Sequence, residues 1–243
     1  MKTRTRQTQA DPRARSNARR ARLLALAFLG WLAPAVAPAL PVTGLWLSEV
    51  MYNPSGGDNG REWVELYNAT GAAIDLSGYS LGWGGADYTT GVLQLSGILA
   101  AGGYFVVGGP TSDANNANPT YDLVANFGPD LQNPLLASDG IALFAVPAAS
   151  ITAATVPIHA LIYGGLFNLN GLLDEQGNPG AIDTGFAPAG ESLEFDGAGW
   201  AAQASPSPGS GVLLAPLPEP GAAGLLLLAA AVLQRRVRAG FAR

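Results

Sequence analysis

From residue 45 onward the chain is a string of short β-rich runs, each soon halted by Gly, Pro, Asn or Asp. LWLSEVMY (residues 45–52) and EWVELYN (62–68) flank the turn-rich NPSGGDNG, and YSLGW, VLQLSG, YFVVGG, GIALFAV, IHALIYGG and ESLEF continue the series. Runs of this length, rich in β-branched and aromatic residues and bounded by turn formers, predict strands. With 32 glycines and 18 prolines in 243 residues there is little uninterrupted chain left for helices. AVPAASITAATVPI has room for a helical turn, but Pro147 and Pro157 bound it tightly. The expectation is an all-β sandwich over residues 45–209. If the second run is a half-exposed strand, Val64 and Leu66 should differ in burial from Trp63, Glu65 and Tyr67.

The ends of the chain follow a different pattern. ARRARLLALAFLGWLAPAVAPAL places a basic stretch before an apolar run (23–32) and then small residues and prolines, the order of a secretory signal peptide. The small-x-small rule puts cleavage after Ala39, giving a signal peptide over 1–39. The run is shorter than the roughly 20 apolar residues of a spanning helix. A linker (210–217) leads to a second short apolar stretch, 221–233, followed at once by Arg235, Arg236 and Arg238, the basic flank expected on the cytoplasmic side. Pro218, Glu219 and Pro220 precede that stretch. Residues 217–238 thus resemble the PEP-CTERM sorting signal of Gram-negative bacteria: a Pro-Glu-Pro motif, a short transmembrane helix and an arginine cluster. The resemblance implies that residues 218–243 are a sorting tail processed by an exosortase, a membrane protease, during export. It also implies transient anchoring in the inner membrane, then a cell-surface or extracellular location in an organism that makes extracellular polysaccharide. A permanent single-span anchor is the other reading of the tail.

A second resemblance lies between the ends. LWLSEVMYNPSGGDNGREWVELYNATGAAIDLSGYSL is similar to the opening of a bacterial lamin tail domain: a Ser-Glu-Val strand, a Tyr-Asn-Pro turn, a Glu-Trp-Val-Glu-Leu strand and Asp-Leu-Ser-Gly. LAAGGYFVVGG, GESLEFDGAGW and SPSPG resemble its later segments. The family implies an immunoglobulin-like β-sandwich found on exported proteins, alone or beside enzymes. Two stretches, 110–136 and 167–189, exceed its pattern and are expected to be enlarged loops.

Charge narrows the partners. Between residues 40 and 217, sixteen Asp and Glu face a single base, Arg61, a formal charge of −15. Such a segment repels phosphate backbones, so nucleic acid is not an expected partner, whereas cations are favoured. Cysteine is absent, which removes disulfides and thiolate chemistry together.

Three patterns bear on chemistry. GYSLG (78–82) fits the G-x-S-x-G elbow of serine hydrolases, with Asp139 and His159 following Ser80 in the hydrolase order. The elbow needs a helix after the serine, and LGWGGADYTTG is unsuited to one, so a strand is expected there. Glu62 and Glu65, three apart, would point to opposite faces of a strand and cannot flank one glycosidic bond. Together with Glu49 they are expected to hydrogen-bond turn backbone and to pair with Arg61, and His159 is expected as a half-exposed strand residue. The oxygen-rich loops are the remaining candidates. TSDANNANPTYD carries Asp113, Asn115, Asn116, Asn118 and Asp122, and SGGDNGRE carries Asp58, Asn59 and Glu62. Calcium takes oxygen ligands of this kind, although neither stretch has the EF-hand spacing. Asp113, Asn115, Asn118 and Asp122 are the metal candidates, with calcium the ion and no other cofactor expected. No catalytic residue is assigned. The function expected is a non-enzymatic surface or matrix module with a binding or structural role, either binding polysaccharide or another surface protein through its loops or serving as a spacer without a ligand; the alternative is a metal-dependent hydrolase with its site in the enlarged loops.

Overall fold

A computed structural model describes residues 44–211 apart from residue 135. The expected signal peptide (1–39), the PEP-CTERM-like tail (218–243) and nearly all of the linker before it lie outside the described residues. Among the described residues no helix is long and apolar enough to cross a membrane.

Twelve strands follow one another along the chain: β1 (Leu45–Met51), β2 (Trp63–Asn68), β3 (Ile74–Asp75), β4 (Ser80–Trp83), β5 (Gly91–Gln94), β6 (Ile98–Leu99), β7 (Tyr104–Gly108), β8 (Leu123–Val124), β9 (Asp139–Phe144), β10 (His159–Tyr163), β11 (Ser192–Phe195) and β12 (Trp200–Gln203). The only helical elements described are three short 3₁₀ turns. One sheet runs β12-β11-β1-β2-β7-β8, a second β10-β9-β4-β5, and β3 pairs with β6. Each of the eight expected runs contains a strand. All ladders are antiparallel except β7 with β8.

The two sheets pack face to face through the alternating positions of their strands. Leu47, Val64, Leu66 and Val107 from the first meet Leu81, Ile141, Leu143 and Leu161 from the second in one buried cluster. In β1 the register slips between Leu47 and Glu49. This bulge lets Leu47 and Val50, three apart, both enter the core while Glu49 leaves it.

The half-exposed reading of β2 is corrected: all six of its residues are buried. Its outer face is covered too. Trp46, Tyr67, Ala69 and Phe195 form one cluster there, and Met51, Trp63 and Val106 another. His159 is likewise corrected, from half-exposed to 4% exposed. It lies between the sheets' rims, with its ring 4.7 Å from Phe195 and 5.8 Å from Trp200.

The enlarged loops serve the sheets as well. Along the outer edge of β10, Glu175 Oε1 accepts the Ala160 amide at 2.8 Å and Asp183 Oδ2 accepts that of Ile162 at 2.7 Å. Side chains there occupy donors that an open edge would offer to another strand.

Candidate functional site

The acids of the sequence motif separate into two environments. Glu49 and Glu65 rise from β1 and β2 into the covered outer face. Ser48 Oγ donates to Glu65 Oε1 at 2.7 Å, and the Gly209 amide donates to its Oε2 at 2.6 Å. Glu49 accepts from the Ser192 hydroxyl, from the Ser207 amide at 3.1 Å and from the Ser207 hydroxyl at 3.0 Å. The two glutamates therefore hold the SPSPG segment on the sheet. Burial pushes the Glu65 carboxyl up to about 8 and raises that of Glu49, against the lowering effect of these donors.

Glu62 is placed differently. It is 1% exposed, and neither carboxylate oxygen has a hydrogen-bond partner; the Leu131 amide comes near enough to lower its pKa without reaching hydrogen-bond geometry. Burial, reinforced by the fields of Asp130, Asp58 and Asp139, pushes the carboxyl up to about 9. The expected pairing of these glutamates with Arg61 is corrected. That guanidinium lies on Asp113, with Nη2 and Nε each 2.9 Å from Oδ2.

Asp113 thus already has a cation. It also caps the 3₁₀ turn Ala114–Asn116 by accepting the Asn115 amide, and this bond with Arg61 holds its carboxyl below the ordinary value. Asn116 Nδ2 donates to Arg61 O, just before β2, at 2.9 Å and to Thr111 O within the loop at 2.8 Å, while Trp63 Nε1 of β2 donates to the Asn116 carbonyl. Asn118 is exposed, with left-handed φ of 52° and its amide on Asp113 O. Asp122 stands apart from that turn, accepting the Val106 amide at 2.8 Å beside β7. The structure therefore brings Asp113, Asn115, Asn116 and Asn118 into one turn and gives Asp122 a separate task. No group of three or more His, Cys, Asp or Glu suited to holding a metal occurs among the described residues.

The serine-hydrolase residues also have separate partners. Ser80 Oγ donates to Val146 O at 2.7 Å from within β4, Asp139 accepts the Gly140 amide, and His159 Nδ1 accepts the Leu47 amide at 2.9 Å. Burial depresses His159 to about 3, so the ring is neutral.

An open cavity of about 460 Å³ lies where the second sheet meets the enlarged loops. Gly85, Thr90, Gln132, Ser138, Asp139 and Asn170 are among its walls. Ser138 Oγ is buried without a partner, and Asp139, 3% exposed, keeps one amide on Oδ1 while burial pushes its carboxyl up to about 6. A parallel bridge between Ala137 and Phe167 forms the rim, with the Ser138 amide on Phe167 O. Gly165 makes this close approach feasible, since its φ is +62° and a Cβ there would lie 2.5 Å from the Ala137 carbonyl carbon. On the adjoining segments Leu136, Leu166, Phe167 and Leu169 stand 61–70% exposed. Sequence reasoning did not reach this cavity: the enlarged loops supply only Gln132, Pro134 and Asn170, and the other walls come from the β4–β5 connection and the start of β9.

The fold is thus all-β, two packed sheets of the immunoglobulin-like kind. Residues 39–157 match the family model described as the lamin tail domain. That match ends before β10, yet β10, β11 and β12 complete both sheets. No curated protein matches the chain.

Proposed function

We propose that this chain is an exported, non-enzymatic binding module of the bacterial cell envelope or extracellular matrix. The observation that carries the binding role is the open polar cavity walled by Gln132, Ser138, Asp139 and Asn170, with exposed Leu136, Leu166, Phe167 and Leu169 on the adjoining segments. Exposed apolar residues gathered beside a concave polar surface are the signature of an interaction site. The export route rests on the order of the sequence: a basic-apolar-small leader, a β-domain, Pro218-Glu219-Pro220, a short apolar stretch and Arg235, Arg236 and Arg238. An exosortase-type protease is the processing partner in this reading.

Two uses of carboxylates support a non-enzymatic role: Glu49 and Glu65 hold the tail segment, and Glu175 and Asp183 cover a sheet edge. One observation favours the metal-dependent hydrolase instead, namely Asp139, whose raised pKa suits proton transfer in a cavity. Fractionation of the native host decides the location, with the protein expected in the extracellular matrix or surface fraction; recovery from the cytoplasm would overturn the proposal. Release of reducing ends from polysaccharide, lost in Asp139→Asn, would favour the hydrolase.

A further inference from the structure

We propose that the apolar surface formed by segments 134–138, 164–169 and 184–186 docks a protein segment that carries apolar residues between lysines and arginines. The inference rests on the binding role above and gives it a partner class and an address. Backbone bonds hold the three segments side by side, where β10 ends and β9 begins. The Leu166 amide donates to Leu136 O at 3.0 Å, Ala137 bridges Phe167, and the Ser138 amide donates to Phe167 O at 3.1 Å. On the other side the Gly164 amide donates to Thr184 O at 3.1 Å, beside the bridge between Tyr163 and Thr184. Pro134 and Phe186 meet at Gly164, where a Cβ would lie 2.5 Å from Pro134 Cγ and 3.2 Å from Phe186 Cε1. Every exposed leucine and phenylalanine among the described residues lies on these segments: Leu136, Leu166, Phe167 and Leu169 at 61–70%, and Phe186 at 47%. Single exposed apolar residues are ordinary, whereas this concentration marks an interaction surface. Side chains that stand so far out suit the interdigitated core of a protein interface better than a small-molecule site, which is concave.

Charge selects the partner. Asp183 immediately precedes Thr184, and its carboxyl feels Glu175 and Asp174, which follow Leu169 in the chain. On the opposite flank Asp130 is exposed, and Asn133 Nδ2 donates to Asp58 Oδ2 at 3.0 Å. Arg61, the one base between residues 40 and 217, is held on Asp113. The apolar centre therefore has an acidic rim without cations of its own. A second copy would set these carboxylates against themselves, and an anionic lipid surface would be repelled in the same way. A segment whose apolar residues lie between Lys and Arg complements both the centre and the rim.

Photo-cross-linking of the full chain, made in its native host, tests the assignment. The photoreactive residue is p-benzoylphenylalanine, placed at position 167 and, for comparison, at Ile98, which is 64% exposed in β6. Disrupted cells are irradiated at low and at high salt, and the cross-linked segment of each adduct is sequenced. The expected result is an adduct from position 167 and not from 98, on a segment with Lys or Arg on both sides of apolar residues. Its yield should fall several-fold at high salt, which screens exposed charges. Leu166→Ser and Leu136→Ser should each lower it about tenfold, the loss of one good anchor. Both leucines are exposed and the bond between them is backbone to backbone, so these replacements leave the fold intact. The proposal is overturned by a yield no higher than from position 98, by a cross-linked segment without Lys or Arg, or by a yield that neither serine variant lowers. An adduct with lipid or with a second copy overturns this partner while leaving the chain a binding module. The location proposed above fails or stands by fractionation, independently of these adducts.

Discussion

His159 Nδ1, on the edge strand of one sheet, accepts the backbone amide of Leu47 in the other sheet at 2.9 Å. Leu47 sits at the bulge of β1, so its amide is met by a side chain from across the sandwich rather than by another backbone group. His159→Phe keeps the ring packing but leaves that buried donor unpaired, and should cost about 1–3 kcal/mol in urea unfolding.

The same contact sets an acid limit. The folded pKa of His159 is depressed from 6.5 to about 3, so its contribution is complete above 6.5 and is lost as pH falls toward 3. Unfolding free energies of wild type and His159→Phe, measured across that range, should therefore converge as pH falls. A constant difference would contradict the neutral, hydrogen-bonded ring.

Glu62 should act with the opposite sign. Its folded pKa is raised from 4.5 to about 9, so stability is highest below 4.5 and declines as the unfolded chain ionises, levelling off above 9. At pH 7 the loss is of the order of 3 kcal/mol. Glu62→Gln should flatten stability against pH across this window, whatever its offset at any one pH. A carboxyl carbon resonance of Glu62 titrating near 4.5 would contradict this burial.

The glutamates under the tail segment should control its docking. Glu65→Leu removes the acceptor of the Gly209 amide and that of the Ser48 hydroxyl together. Hydrogen exchange in a peptide covering 203–211 should quicken by about tenfold, consistent with the roughly 1–3 kcal/mol cost of leaving a donor unpaired. Unchanged exchange would mean that the Glu49 bonds to Ser207 hold the segment without Glu65.

Calcium meets an occupied carboxylate at Asp113. To bind there it must displace Arg61, whose Nη2 lies 2.9 Å from Oδ2. Millimolar calcium at matched ionic strength should raise the Tm of Arg61→Ala more than that of wild type. If wild type rises as much, and the rise vanishes on replacing Asp113 and Asp122, calcium binds the loop as the sequence suggests.

The strands were legible because each carries its own turn signals and alternation, which are local properties of the chain. β12 was not: Trp200, Ala201, Ala202 and Gln203 have no β-branched residue, and pairing with β11 makes the strand. Burial of β2 on both faces was hidden because its outer cover comes from β1, β7 and the distant SPSPG segment. Asp113 and Asn115 were legible as a polar turn, but not that Arg61, 52 positions earlier, would supply the charge. The cavity was hidden for the same reason. Thr90, Ser138 and Asn170 converge from separate loops, and only the fold reveals that Ser138 lacks a partner.

Intact mass of the protein recovered from outside the native host's inner membrane tests the central claim, export of this β-domain as a processed surface module, most directly. The account predicts a chain beginning at Leu40, after cleavage behind Ala39, and ending before the arginine cluster at Arg235. A full-length mass retaining Met1 and Arg243, with no protein outside the inner membrane, would contradict it.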